Sequence, residues 1–305
     1  MILDKSLVDY SAGEPFEIEP PLEYSITNPS VMQIQSGYQV LCRGMLNQKK
    51  LTTQNICHFF GENFELLSSM VIDDSDVRNQ FSDCENGLED GRLFLWNKKT
   101  WAIFTGLKNS DSGYRNTMII GEISNGRLIN VKVLKSPYEL SREKNWMPCV
   151  AGERLFFLYT VTPLEVYEFS EGNLIPVFKK DLGLIRKSYL SGSSQVLEWD
   201  DGYLAITHTR HPIGFLKKIW MKYFLRDENY KVKKTYFLHQ FIKFNKNFEI
   251  TRVSKDFYFE SLGVEFCAGI ALKKNSLLIS YGVADTQAKM LRVPIKKIEE
   301  LLQLA

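Results

Sequence analysis

The stretch Gly87-Leu88-Glu89-Asp90-Gly91-Arg92-Leu93-Phe94-Leu95-Trp96, followed by Asn97-Lys98-Lys99 and then Trp101-Ala102-Ile103-Phe104, decides how the chain is read. Two apolar, aromatic runs of strand length meet at a short polar turn, which is the pattern of a β-hairpin. The unit recurs. Val31-Met32-Gln33-Ile34-Gln35 and the run 38–44 flank Ser36-Gly37; the run 56–60 turns at Gly61-Glu62-Asn63 into 64–67; and 118–123 turns at Ser124-Asn125-Gly126 into 128–131. Further runs at 155–159, 166–169, 174–178, 196–199, 203–208 and 277–281 continue the series. Short strands with turn signals throughout indicate an all-β sandwich, barrel or propeller. No strict sequence repeat is present, so a WD40-type propeller is not supported.

At 305 residues the chain is long enough for one large all-β domain, read here as a single unit over 1–305 with 1–25 as an extended N-terminal lead-in rich in Glu and Pro. Two segments break the β rhythm. Ile295-Lys296-Lys297-Ile298-Glu299-Glu300-Leu301-Leu302 has helical spacing and predicts a short C-terminal helix. In 213–226, Phe215, Leu216, Ile219, Trp220, Tyr223 and Phe224 recur at helical intervals among Lys217, Lys218, Lys222 and Arg226. That pattern predicts a helical insertion, either packed on the domain or serving as a basic face for a membrane surface, a lipid-linked acceptor or a second subunit.

A net charge of +2 predicts no strong field and gives no reason to expect a nucleic-acid partner. Cys42, Cys57, Cys84, Cys149 and Cys267 are an odd, dispersed set without a C-x-x-C pair, which argues against a disulfide framework or zinc site and fits the reducing cytoplasm. The first residues do not form a basic region followed by an apolar core, so no signal peptide is expected, and no apolar stretch is long enough to span a bilayer.

Polar clusters at strand ends carry whatever chemistry the chain performs. Glu89, Asp90 and Arg92 fall within four positions, between glycines that allow a tight turn and close backbone approach. An Arg so near a carboxylate holds it ionised or holds an anionic substrate. The ordinary alternative is a polar turn with a surface ion pair. Asn28-Pro29-Ser30 and Arg43 flank the first hairpin. Glu143-Lys144-Asn145-Trp146-Met147-Pro148 precedes the strand near 155. Gly192-Ser193-Ser194-Gln195 leads toward His208. His239 lies in a further strand, and Glu265-Phe266 and Ser280-Tyr281-Gly282-Val283-Ala284-Asp285 close the series. Each has a structural reading too: Trp146 as core, the histidines as satisfied hydrogen-bonding residues, Asp285 as a turn former.

In this order the clusters resemble glycoside hydrolase family 130, the β-mannoside phosphorylases and hydrolases, and related mannosyltransferases on the same scaffold. The similarity runs from about Asn28 to about Leu291. Gly87-Leu88-Glu89-Asp90-Gly91-Arg92 resembles the family's Gly-x-Glu-Asp-Pro-Arg signature, with Gly91 in place of Pro. Asn28-Pro29-Ser30 resembles its early Asn-Pro segment, and Glu143-Lys144-Asn145-Trp146-Met147-Pro148 its Lys-containing segment. The run 201–208 resembles its Gly-Trp-Leu…His segment, and Tyr281-Gly282-Val283-Ala284-Asp285-Thr286 its closing Tyr-Gly-Ala-Ala-Asp-Thr motif.

The resemblance implies a five-bladed β-propeller with its site at the mouth of the central channel. It implies an inverting enzyme acting on a β-mannoside or similar glycoside, with Asp90 as the single general acid. An alkoxide leaves poorly unless protonated, so a carboxyl must reach the glycosidic oxygen. Asn28, Arg43, Glu89, Arg92, Lys144, Asn145, Gln195, His208, His239, Glu265 and Asp285 are implied substrate contacts, with Trp146 a stacking platform. The implied partner is an oligosaccharide or glycoside. No metal or organic cofactor is expected; inorganic phosphate is a co-substrate if the reaction is phosphorolysis. Leu158-Tyr159-Thr160-Val161-Thr162-Pro163 and Tyr189-Leu190-Ser191 lack the basic residues that phosphorylases place there. Hydrolysis, transfer in surface-glycan assembly, and a non-catalytic glycan- or protein-binding propeller therefore stay open beside phosphorolysis.

Overall fold

A computed structural model describes residues 6–46, 53–110, 113–138, 140, 143–181, 190–214, 219 and 234–304. These residues form five antiparallel sheets, the blades of a five-bladed β-propeller. Blade 1 is Tyr24–Ile34, Gly37–Leu46, Thr53–Phe60 and Leu66–Val71. Blade 2 is Leu88–Trp96, Lys99–Ser110, Gly113–Ser124 and Arg127–Leu134. Blade 3 is Met147–Ala151, Arg154–Thr160, Leu164–Ser170 and Asn173–Lys180. Blade 4 is built on Gly202–Pro212, Thr235–Asn245 and Ile250–Ser254, with the short inner strands Ser191–Gly192 and Leu197–Trp199. Blade 5 is Glu265–Lys273, Ser276–Val283 and Gln287–Pro294.

Five hydrophobic clusters hold the ring, one between each pair of neighbouring blades. Successive strand residues point to opposite faces, so a strand inside the ring must be apolar on both. In blade 1, Val40 and Cys42 join the core shared with blade 5, while Leu41 between them joins the core shared with blade 2. This two-faced burial gives near-continuous apolar runs such as Leu93-Phe94.

Both chain ends are used to complete blades. Phe16–Glu17 pairs with Gln287–Pro294 and supplies the fourth strand of blade 5, with Ile18 buried behind it. Within the extended segment expected over 1–25, these two residues are too short a stretch to signal a strand and pair because blade 5 offers an open edge. At the other end Ile295–Leu301 is the expected helix. It buries Ile298 and Leu301 between blades 4 and 5, and Leu302–Leu304 then adds to the edge of blade 4. The helix expected over 213–226 lies outside the described residues, apart from Ile213, Gly214 and Ile219.

Polar groups stitch the inner strands together around the channel. Gln195 Nε2 donates to the Val31 and Ile270 carbonyls at 3.0 and 2.7 Å, and its Oε1 accepts from the Ile270 N–H at 3.1 Å. Ser30 Oγ accepts from Leu93 N–H, and Ser193 Oγ donates to the Cys267 carbonyl. All five cysteines are buried and free. No helix among the described residues is long and apolar enough to cross a membrane.

Candidate active site

The site is built on irregularities in the inner strands. In blade 1 the register shifts between Thr27 and Ser30, and in blade 2 between Glu89 and Arg92. Asn28 and Asp90 sit at these shifts with φ of +48° and +51°. Asn145 (+65°), Ala284 (+53°) and Asp285 (+57°) share the left-handed conformation. A non-glycine residue costs energy there, and such residues gather where a bulge re-aims a side chain.

The two glycines of the blade 2 signature have different jobs. Gly87 adopts φ of +104°, where a Cβ would lie 2.5 Å from the Thr53 carbonyl oxygen. Gly91 is a close approach: a Cβ there would lie 2.7 Å from both Leu41 Cδ2 and Phe104 Cε1. A larger side chain or a pyrrolidine ring has no room there between blades 1 and 2. Gly91 therefore admits neighbouring side chains rather than a ligand.

Arg43 joins the two carboxylates that follow Gly87. Its guanidinium lies 2.7 Å from Glu89 Oε1 and 3.4 Å from Asp90 Oδ1. Asn28 Nδ2 donates to the same Asp90 oxygen at 2.7 Å. The Asp90 side chain is 23% exposed, so it remains open to a ligand. Arg92 is fully buried behind it. Its Nε donates to the Ser193 carbonyl at 2.6 Å, one terminal nitrogen to the Asp90 carbonyl at 3.0 Å, and the other to Asn145 Oδ1 at 3.2 Å, with the Phe266 ring 5.6 Å away. One side chain thereby fixes the backbone of Asp90 and the position of Asn145 relative to three blades.

The electrostatics follow from these contacts. Burial raises the Asp90 carboxyl, but Arg43, the Asn28 hydrogen bond and Arg92 outweigh it, and the group is held below the ordinary carboxylate range. Glu89 is pushed up to about 7, by burial first and by the Asp90 charge second, against the pull of Arg43. Asp285 is raised by burial, with Asp90 adding to the shift and Arg43 opposing it. Burial, with help from Arg92 and Lys144, holds His208 neutral, down to about 3.

The expected site residues fall into two groups. Asn28, Arg43, Glu89, Asp90, Arg92 and Asn145 are linked by direct contacts, and Asp285 and Lys144 act on them electrostatically. Lys144 is exposed. The others are spent on the fold. Trp146 is 1% exposed, its ring packed near Phe157 and Tyr159 and its Nε1 donating to Glu143. A stacking platform needs an open ring face, so that expectation is corrected. Gln195 is the inter-blade latch described above. Glu265 accepts from the backbone N–H groups of Phe259, Glu260 and Ser261 and anchors their loop. His239 is fully buried against Phe257 and Phe259 and held neutral by burial. His208 lies between these groups, buried against Phe237 and Phe266 at the rim.

A cavity of about 340 Å³ adjoins the site through Lys144, Asn145 and Gly192, and is lined also by Tyr138, Thr160 and Glu165. Tyr138 and Glu165 escaped the sequence reading, because no local motif joins positions so far apart, and Thr160 entered it only within the run 158–163 that lacks a basic residue. Among the described residues no three His, Cys, Asp or Glu side chains are grouped to hold a metal ion.

No protein-family model and no curated protein matches the sequence. Solved structures match the fold. One belongs to the family 130 mannoside phosphorylases, described as containing glycoside hydrolases that target β-1,2 mannosidic linkages in Candida mannan; it has a TM-score of 0.58, 12% identity, and covers 90% of this chain and 85% of its own. A mannose phosphorylase from Leishmania mexicana in complex with a phosphate ion gives 0.60, 11%, 90% and 85%. A GDP-Man-dependent mannosyltransferase from the same organism gives 0.58, 12%, 89% and 86%. The propeller expected from the sequence resemblance is thus the fold these proteins share with this chain.

Proposed function

We propose that the chain is a carbohydrate-active enzyme that makes or breaks a glycosidic bond to a β-mannosyl or similar sugar, with inversion at the anomeric carbon. Asp90 is its general acid. The observation that carries this reading is the placement of Asp90: on a positive-φ bulge of an inner strand, part-exposed, between Asn28 and Arg43, with its backbone clamped by Arg92. A carboxylate held in a costly conformation on an inner strand, away from any hairpin turn, gives a motive for placing a site there. The fold it shares with mannoside phosphorylases, hydrolases and a mannosyltransferase supports the substrate class.

In this reading Asp90 delivers a proton to the leaving oxygen as the C–O bond breaks. Asn28, Glu89, Lys144, Asn145 and Asp285 contact sugar hydroxyls, and Arg92 positions Asp90 without touching substrate. Phosphate dianion needs no base when it attacks, whereas water needs a second carboxylate to take its proton. The test is product analysis of β-manno-oligosaccharides with and without phosphate, following the anomer formed by proton NMR, in wild type and Asp90→Asn. Turnover retained in Asp90→Asn sinks the acid assignment. Binding of glycan without any turnover supports a non-catalytic propeller instead.

Transfer from a sugar nucleotide is the second reading. It is supported by the fold shared with a GDP-Man-dependent mannosyltransferase, and the described site leaves little basic charge for an attacking phosphate. Arg43 and Arg92 spend their guanidinium groups on protein acceptors, His208 is neutral, and Lys144 alone of these four stays exposed. Incubation with GDP-mannose and a mannoside acceptor distinguishes it, since a transferase lengthens the acceptor with no phosphate added.

A further inference from the structure

We propose that the outer edge of blade 1, the strand Leu66–Val71, pairs with the same strand of a second copy, so that two chains join in a closed two-fold dimer. This contact does not depend on the chemistry at Asp90. A strand at the rim of a sheet presents unpaired N–H and C=O groups, and proteins ordinarily blunt such an edge with charge, proline, short length or a covering segment. Four of the five blades do so. The rim of blade 2, Arg127–Leu134, carries Arg127 and Lys132 and bends at Asn130, whose φ is +51°. The rim of blade 3, Asn173–Lys180, holds Pro176 and ends in Lys179 and Lys180. On blade 4 the strand Leu302–Leu304 covers Ile250–Ser254 and is itself only three residues long. On blade 5 the rim is the two-residue strand Phe16–Glu17.

Blade 1 lacks these devices. Its rim, Leu66-Leu67-Ser68-Ser69-Met70-Val71, has six residues, no charge and no proline, and all six are exposed. One side bonds to Thr53–Phe60, and among the described residues no strand takes the other side. The register shift between Phe59 and Phe60 disturbs only the start of the rim, and Ser68–Val71 pairs regularly. Leu66 and Leu67 are 52% and 59% exposed. Phe16, also exposed, extends the apolar surface from blade 5, with its ring 6.2 Å from Phe64. A contiguous apolar surface of this kind marks a contact rather than a solvated rim.

The pattern of the rim selects a second copy as the occupant. Two large apolar residues, two serines and two large apolar residues read alike from either end. Antiparallel pairing about an axis between Ser68 and Ser69 sets Leu66 and Leu67 of one copy beside Val71 and Met70 of the other, and serines beside serines. The flanking charges agree. Glu62, Glu65 and Lys273 lie together at the start of the strand, and Asp73, Asp76 and Arg127 at its end. Two-fold pairing faces one end with the other, so each end meets both signs. Each copy offers one such rim among the described residues, so pairing consumes both rims and closes at two copies rather than growing into a fibre. Six residues a side fall well short of the roughly 20–30 of a standard interface, so the dimer is weak, with a Kd of about 1–100 μM.

Sedimentation velocity on the full chain, from about 1 to 300 μM, tests this. Wild type is expected to pass from monomer to dimer as concentration rises. Leu67→Lys with Met70→Lys sets lysines opposite one another on both sides of the axis and is expected to weaken pairing at least ~10-fold. Both positions are exposed, so the thermal midpoint of this double variant at low concentration is expected to match wild type. The register is read from two single variants, Leu67→Lys and Met70→Glu, mixed in equal amounts. The mixed pair sets Lys beside Glu at one end and keeps Leu beside Met at the other, and is expected to associate more tightly than either variant with itself. A wild type that stays monomeric throughout overturns the proposal. So does a dimer that survives the double variant unchanged, since its contact then lies elsewhere, and so does a mixture that associates no better than its parts. Should the double variant not fold, the mixture decides alone.

Discussion

Two carboxylate clusters meet at the 143–146 segment, and they handle charge in opposite ways. In blade 3, Glu143 accepts hydrogen bonds from Ser136, Tyr159 and Trp146, and Glu165 accepts from Tyr138, Tyr167 and Lys179. Although burial raises the Glu165 carboxyl, these donors outweigh it and hold the group below its ordinary range. In the candidate active site, Glu89, Asp90 and Asp285 instead draw on Arg43, and two of the three are raised. Buried charge is tolerated in the first cluster because its bonding capacity is filled. In the second it is left partly unfilled, which is what a ligand or a moving proton requires. Acidic residues alone did not separate the two; the count of donors around each carboxylate does.

The largest expected effect sets the clusters directly against each other. Asp90→Asn is expected to cost roughly 10²–10⁴ in turnover, the usual loss for a general acid, while leaving the thermal midpoint near wild type. Glu165→Gln is expected to keep turnover within about threefold of wild type, as befits a carboxylate spent on its own blade. Steady-state assays beside thermal melts check both, and a Glu165→Gln enzyme as dead as Asp90→Asn would erase the distinction.

Next in size is Gln195→Ala. It leaves two carbonyls and one N–H of the inner strands without their partner, at ~1–3 kcal/mol for each buried group. A loss of roughly 3 kcal/mol or more in urea unfolding is expected from the same cause, with kcat of the folded protein unchanged. An altered KM for sugar with no loss of stability would return Gln195 to the substrate contacts.

The pH dependence of stability carries the comparison further. Glu89 and Glu265 titrate from 4.5 when unfolded to about 7 when folded. Between those values the folded state holds protons that the unfolded chain has released, so stability falls as pH rises through the window. Glu165 has the opposite sign: its contribution is present above 4.5 and lost as pH drops through its lowered folded value. Urea midpoints measured across this range are expected to fall less steeply in Glu89→Gln and unchanged in slope in Tyr167→Phe. The last variant removes one donor to Glu165 and is expected to cost about 1 kcal/mol.

Much of the fold was legible because strand periodicity and turn chemistry act locally. The hairpin through Leu93 and Trp101, the C-terminal helix from Ile295 and the turn at Ser124-Asn125-Gly126 stand where the sequence places them. Phe16–Glu17 as the closing strand of blade 5 was not legible, since a two-residue strand has no period and exists only where an edge awaits it. In the site, the grouping of Glu89, Asp90 and Arg92 was written in adjacent positions. Which of them faces a ligand was not. Arg92 and Gln195 look alike on paper as polar residues near a channel, and both turn inward to join blades.

By itself the sequence determined that the chain is all-β, that a short helix stands near its C-terminal end, and that Glu89, Asp90 and Arg92 fall together at the start of a strand. Each of those properties depends on side-chain type and near-neighbour spacing. Tertiary structure alone decided that Arg43 reaches both Glu89 and Asp90, that Trp146 is enclosed, and that Glu265 serves a loop. Those outcomes turn on a few backbone angles at bulges and on which blade arrives opposite, and a shift of one residue in register would have reversed them.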